Sequence, residues 1–257
     1  MRGEKIVKYI KAEIFRIFHT RNYLKFIFAI TLILLGSMIY SSIDSNSGEY
    51  FESMETFLKI VSIIISIFFS VTIFKKKDIK VELLSMGLSR KHIFVCDLIT
   101  LQIFTLFSIV IMGGLILLFS LLKNLVGADY IGRSYIGFVY FLIRMIVLMI
   151  NVNNGVMGLT YLFNNAALGI ATSFVIIPSV FQIGMYMTEG KIYDVFNNLL
   201  LIQPFKLLDL GLATEQIGNS LMKTAGISFV FVFIIYLMSG YVRFSRKEIN
   251  WGGLWML

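Results

Sequence analysis

Arg144 stands inside an otherwise apolar run, residues 135–163, and Asn151, Asn153, Asn154, Gly155 and Gly158 follow it. Offsets of 7, 11 and 14 put Asn151, Gly155 and Gly158 near the Arg144 face of a helix, with Asn154 beside them. A charged side chain within a membrane span is costly, so it normally faces protein, water or the interface. Two readings stay open. Arg144, Asn151 and Asn154 line a substrate path, or Arg144 extends its stem to the outer interface while the asparagines bond across helices and the glycines admit close approach.

Other chemistry-bearing residues are sparse. His19 and His92 fall in basic segments, and neither has a second His or a carboxylate at metal-ligand spacing. A lone Cys96 excludes an intramolecular disulfide and a cysteine-based zinc site. There is no Gly-rich phosphate loop carrying Lys-Ser/Thr, so the chain is not expected to hydrolyse nucleotide. The interiors of the expected spans hold no Asp, Glu or His, which argues against an intramembrane enzyme. No cofactor or metal bound by this chain is expected.

The elements that must position these residues follow from composition. Of the 257 residues 58% are hydrophobic, two are proline and the mean hydropathy is +0.84. A soluble domain of this length cannot hide so much apolar surface. Apolar runs near twenty residues each predict an all-α membrane protein, a single domain over 1–257, with six transmembrane helices. They fall at about 23–40, 57–74, 98–122, 135–163, 166–187 and 224–242. The net charge of +8 forms no long basic tract, so it reports topology rather than nucleic acid. Seven Lys and Arg lie in the N-terminal segment through Lys25, six at 75–97 and three after Val242, against five in the remaining loops. The expectation is a multi-pass protein of the cell membrane with both termini cytoplasmic. Asn164 and Asn165 supply a tight turn between spans four and five, and Pro178 is expected to kink span five.

Three segments are amphipathic without spanning. In residues 4–20, Ile6, Ile10, Ile14 and Ile17 recur at helical spacing, with Lys5, Lys8, Lys11 and Arg16 mostly elsewhere. That pattern fits a helix lying on the inner membrane surface, or a simple basic topogenic start. "VFNNLLLIQPFKLLDLGL", 195–212, predicts two short helices hinged at Gln203-Pro204 and re-entering the bilayer from outside, or a plain interfacial helix. The third is the insert "FKKKDIKVELLSMGLSRKHIF", 74–94. Ile79, Leu83 and Met86 share a helical face with Leu84 and Leu88 nearby, while Asp78, Lys80 and Glu82 fall on the other side. Gly87 can end that helix with a left-handed cap, and Ser89 can cap the next. An apolar face in the cytosol asks for a partner, a groove in another protein or the lipid surface.

The stretch "ELLSMGLSRKHIFVCDLI" resembles the coupling segment of the type-2 family of ABC-transporter permeases. Surface helix, six spans, insert after span two, outer hairpin before span six and the ending "YVRFSRKEI" follow that family's order. The resemblance implies a cytoplasmic coupling helix contacting an ABC ATPase through Asp78, Ile79, Glu82, Leu83, Leu84, Gly87, Ser89 and Arg90. It implies two copies of that ATPase, which carry ATP and magnesium, and a second permease copy or homologue. The small size is most similar to exporters of amphipathic or antimicrobial peptides, such as phenol-soluble modulin exporters and bacteriocin-immunity permeases, or of other hydrophobic cargo. Competing expectations are a regulatory or scaffold membrane protein whose 75–97 loop binds a soluble partner, and an autonomous carrier. The lack of intramembrane carboxylates for ion coupling counts against the carrier.

Overall fold

In hydrocarbon no water satisfies the backbone, so each spanning segment must pair its own N–H and C=O groups, which a helix does. The computed structural model describes residues 2–19, 21–42, 47–74, 80, 84–85, 87–125, 133–204, 206, 208 and 219–246, and among these no strand occurs. The helices are α1 (Arg2–His19), α2 (Arg21–Ser41), α3 (Ser47–Phe74), α4 (Arg90–Leu125) and α5 (Arg133–Phe163). They continue with α6 (Ala166–Ala171, a π turn over Thr172–Ile176, then Ile177–Met187) and α7 (Gly190–Ile202). The last, α8, runs Asn219–Phe231, a π turn over Val232–Leu237, then Met238–Arg246.

Among the described residues five stretches are long and apolar enough to cross a membrane: Glu49–Phe74, Arg90–Leu125, Tyr135–Phe163, Ala166–Tyr186 and Lys223–Arg246. The chain is thus an all-helical, multi-pass membrane protein by length and composition. At the first expected span lies a shorter apolar stretch, Lys25–Ser41.

Two helices begin well before their apolar runs. α3 starts ahead of the expected residue 57 because Tyr50, Phe51, Met54 and Leu58 form a buried helical row, while Glu49 and Glu52 stay exposed. α4 starts at Arg90 rather than 98 and buries Ile93, Phe94, Cys96 and Asp97 in its first two turns. Its 36 residues span about 54 Å at 1.5 Å per residue, more than a bilayer's hydrocarbon.

Helices α3, α4 and α5 form the centre, where Leu58, Phe69, Phe104, Ile109, Phe138 and Met149 are among the buried side chains. Ser62, Ser66 and Ser70, one turn apart along α3, are all buried and give that helix a narrow face. α8 lies directly against α5. A Cβ at Gly158 would stand 2.4 Å from the Tyr236 carbonyl, and one at Gly240 would stand 2.2 Å from the Gly158 oxygen. The π turn of α8 sits at this crossing.

Asn164, at φ 55°, reverses the chain, and the Asn165 side chain caps α6 by accepting from the N–H groups of Ala167 at 2.9 Å and Leu168 at 3.3 Å. At Pro178, where a kink is expected, a π turn over Thr172–Ile176 directly precedes the helix turn that holds the proline. There the Ile177 N–H reaches back to the Thr172 carbonyl, and the helix continues past a residue with no N–H to offer.

Candidate functional site

The insert enters α4 through an elbow built from local chemistry. Gly87 adopts φ +82°, a left-handed conformation that costs glycine little, and its N–H bonds the Leu84 carbonyl at 3.0 Å. The Ser89 hydroxyl accepts from the His92 N–H at 3.4 Å, and the Ser89 carbonyl accepts from the Ile93 N–H at 3.2 Å. Ser89 thereby caps α4. Leu84 is half-buried and Ser85 exposed. Arg90 turns back onto the end of α8, donating to the Phe244 carbonyl at 3.4 Å with its guanidinium 5.8 Å from the Phe244 ring centroid. Asp78, Ile79, Glu82 and Leu83 lie outside the described residues.

Beside the elbow is a buried polar array that the sequence reading missed. The spacing places Lys80 on the side of the insert opposite its apolar face, and Asp97 at the end of the 75–97 loop. Asp97 is 1% and Lys80 8% exposed, and Lys80 Nζ lies 2.9 Å from Asp97 Oδ2. Lys80 also donates to the Tyr161 hydroxyl at 2.7 Å, and that hydroxyl donates to Asp97 Oδ2. Tyr9, from α1, donates to Asp97 Oδ1 at 3.1 Å. Lys80 Nζ further sits 5.0 Å from the Phe74 ring centroid and 4.8 Å from that of Tyr161, within cation–π range. Phe94 and Phe244 pack edge-on against Tyr161, with centroids at 4.8 and 4.6 Å.

Burial explains this composition. A buried charge needs a counter-charge and hydrogen bonds to its remaining lone pairs, and Asp97 has both. Burial, then the neighbouring Asp97 charge, pushes the Tyr9 phenol above its ordinary value, so it stays a donor. No spacing rule joins Lys80 to Asp97 across an elbow. The available signal was electrostatic: a carboxylate between Cys96 and Leu98, at the mouth of an apolar run, calls for a cation.

Tyr9 belongs to the face by which α1 docks. Its buried row is Tyr9, Glu13 and Ile17, with Ile10 and Ile14 half-buried, and it packs on α4. Glu13 is tied to Arg16 at 3.2 Å. Phe15, Val7 and Lys11 remain exposed.

Midway along the bundle, the asparagines of α5 bond within the chain. Asn153 accepts from Ser66 of α3 at 2.6 Å and donates to Gln102 of α4 at 3.0 Å. Gln102 in turn donates to Asn154 at 3.0 Å and to the Ile150 carbonyl at 3.1 Å, joining three helices in one knot. Asn151 donates to Ser228 of α8 at 2.7 Å, and Ser228 to the Ile202 carbonyl at 2.5 Å. Arg144, two turns before Asn151, is half-buried. Gln102 and Ser228 escaped the sequence reading because single polar residues in apolar runs carry no periodic signal.

The end of α7 reaches the same depth. Gln203, extended at φ −63°, ψ 135° ahead of Pro204, accepts from the Tyr236 hydroxyl at 2.6 Å. Pro204 lies against Gly155, where a Cβ would come within 3.2 Å of its ring. Apart from Lys206 and Leu208, the second half of the expected hairpin is outside the described residues.

No group of three or more His, Cys, Asp or Glu able to hold a metal occurs among the described residues. Asp97 is engaged by three donors from three elements, Lys80, Tyr161 and Tyr9. No protein-family model matches the chain, and no curated protein matches it.

Proposed function

We propose that this chain is the non-catalytic permease subunit of an ATP-driven ABC exporter of the type-2 kind. On this reading Lys25–Ser41 is a sixth span, both termini are cytoplasmic, and α7 with the residues after Pro204 re-enters from outside. Two copies, or this chain with a homologue, form the pathway, and two cytoplasmic ATPase subunits bind the insert. The cargo is an amphipathic or antimicrobial peptide or another hydrophobic molecule. Arg144 flanks the path, and Asn151 and Asn154 hold the helices beside it.

The observation that carries the reading is the elbow at Leu84–Arg90. A topogenic loop needs only its lysines, whereas this one has a left-handed glycine, a capped restart and a buried ion pair fixing it to the bundle. An elbow held in this way can pass on a push from a soluble partner. The depth of Gln203–Pro204, at Gly155 and Tyr236, supports re-entry of the outer hairpin.

The test is co-purification with a candidate ATPase. Leu83→Ala with Leu84→Ala should weaken association, since a desolvated apolar anchor commonly costs more than about 1 kcal/mol when truncated, roughly fivefold in affinity. Membrane insertion should be unchanged. Wild-type association and transport by that variant would leave the insert a topogenic loop.

A further inference from the structure

Three pieces of the chain meet at Asp97: the insert through Lys80, the end of α5 through Tyr161, and the surface helix α1 through Tyr9. We propose that this array is a latch that sets the register of the insert on the bundle, so that insert, α1 and the adjoining ends of α4 and α5 move as one body.

Stability alone does not account for a buried ion pair, because apolar residues of similar volume often serve as well or better. What the pair adds is a unique geometry. Apolar contacts allow neighbours to slide and repack, whereas both Asp97 oxygens here are taken by donors from three different elements. Sliding the insert by one residue would withdraw Lys80 and leave a carboxylate buried without its counter-charge, a costly state. The array is therefore made or broken as a whole. Lys80 is a positioning residue, acting through Asp97. What the latch transmits rests on the transport reading; the latch itself does not.

The test uses the full chain in lipid nanodiscs without an ATPase. Spin labels go on cysteines introduced at Ser85, Lys11 and Ala167, all exposed, and Ser85–Lys11 and Ser85–Ala167 distance distributions are measured by double electron–electron resonance. Both should be narrow in the otherwise native chain. Lys80→Met with Asp97→Leu, which removes both charges together, should broaden both while the protein still unfolds cooperatively. Tyr9→Phe, which removes one hydroxyl and leaves the pair intact, should broaden Ser85–Lys11 only. Native distributions in either variant overturn the latch. Failure of the native chain to bind any ATPase overturns the transport reading and leaves these distances as they are.

Discussion

At Gly158 the backbone of one helix touches the backbone of another. A methyl there would lie 2.4 Å from the Tyr236 carbonyl carbon and oxygen and 2.7 Å from the Leu237 nitrogen. None of these atoms can rotate away, so α5 and α8 would have to separate, and the Asn151–Ser228 bond links the same two helices. Gly158→Ala should cost about 1–3 kcal/mol, the usual range for overpacking. Gly36, on α2, has no atom within 4 Å of its would-be Cβ. Gly36→Ala should be neutral or should stabilise by about 0.5–1 kcal/mol through helix propensity. Thermal unfolding of both variants in one detergent checks this, and equal midpoints would mean that α5 and α8 do not pack this closely.

Among the elements, the elbow at residues 87–90 places specific demands on local geometry. The left-handed Gly87 places Lys80 on one side of the elbow and the capped start of α4 on the other. Gly87→Ala forces a Cβ into that conformation at about 1–2 kcal/mol. Space is not the obstacle, because nothing lies within 4 Å of the added atom. Ser89→Ala should cost about 1 kcal/mol as a lost helix cap. Both variants should open the elbow and speed tryptic cleavage in residues 75–91 relative to the rest of the chain. Unchanged cleavage kinetics would show that the turn contributes nothing to holding the insert. α1 docks by Tyr9, Glu13 and Ile17 and leaves Val7 and Phe15 exposed beside Lys11. An exposed apolar strip with lysines suits a helix lying between protein and headgroups.

For the whole molecule, the exposed apolar side chains and the charge distribution describe the same object. Phe28, Ile33, Val110 and Ile143 point away from the bundle, as lipid-facing residues do in a protein whose solvent is hydrocarbon. Lys and Arg are concentrated at the N-terminal segment, the insert and the C-terminal segment, which predicts that these share the cytoplasmic side. Cysteines introduced at Ser47 and Gly218 should therefore react with an impermeant reagent in intact cells, and one at Lys77 should react only after lysis. Labelling at Lys77 from outside would invert the topology and remove the insert from any cytoplasmic ATPase.

Helical class, the Asn164–Asn165 turn, the Gly87 bend and the Ser89 cap were legible in the sequence because each is decided within a few neighbouring residues. The early start of α3 was also present, in the row Tyr50, Phe51, Met54 and Leu58, but hydropathy averages over both faces of a helix and conceals an amphipathic extension. Small residues in α5 announced a close crossing without naming its partner; only packing put Gly158 against Tyr236 and Gly240. Likewise Asn153 called for a donor and an acceptor, and the tertiary structure chose Ser66 and Gln102, residues 87 and 51 positions away. Lys80 and Asp97 show the limit most plainly. Each reads locally as a solvated charge next to an apolar run, and they become buried partners only because α1, α4 and α5 converge around them. Desolvation is a property of the assembled fold, so the sequence alone settled the local turns and caps, and the packing of distant helices settled which polar groups were buried and which partners they received.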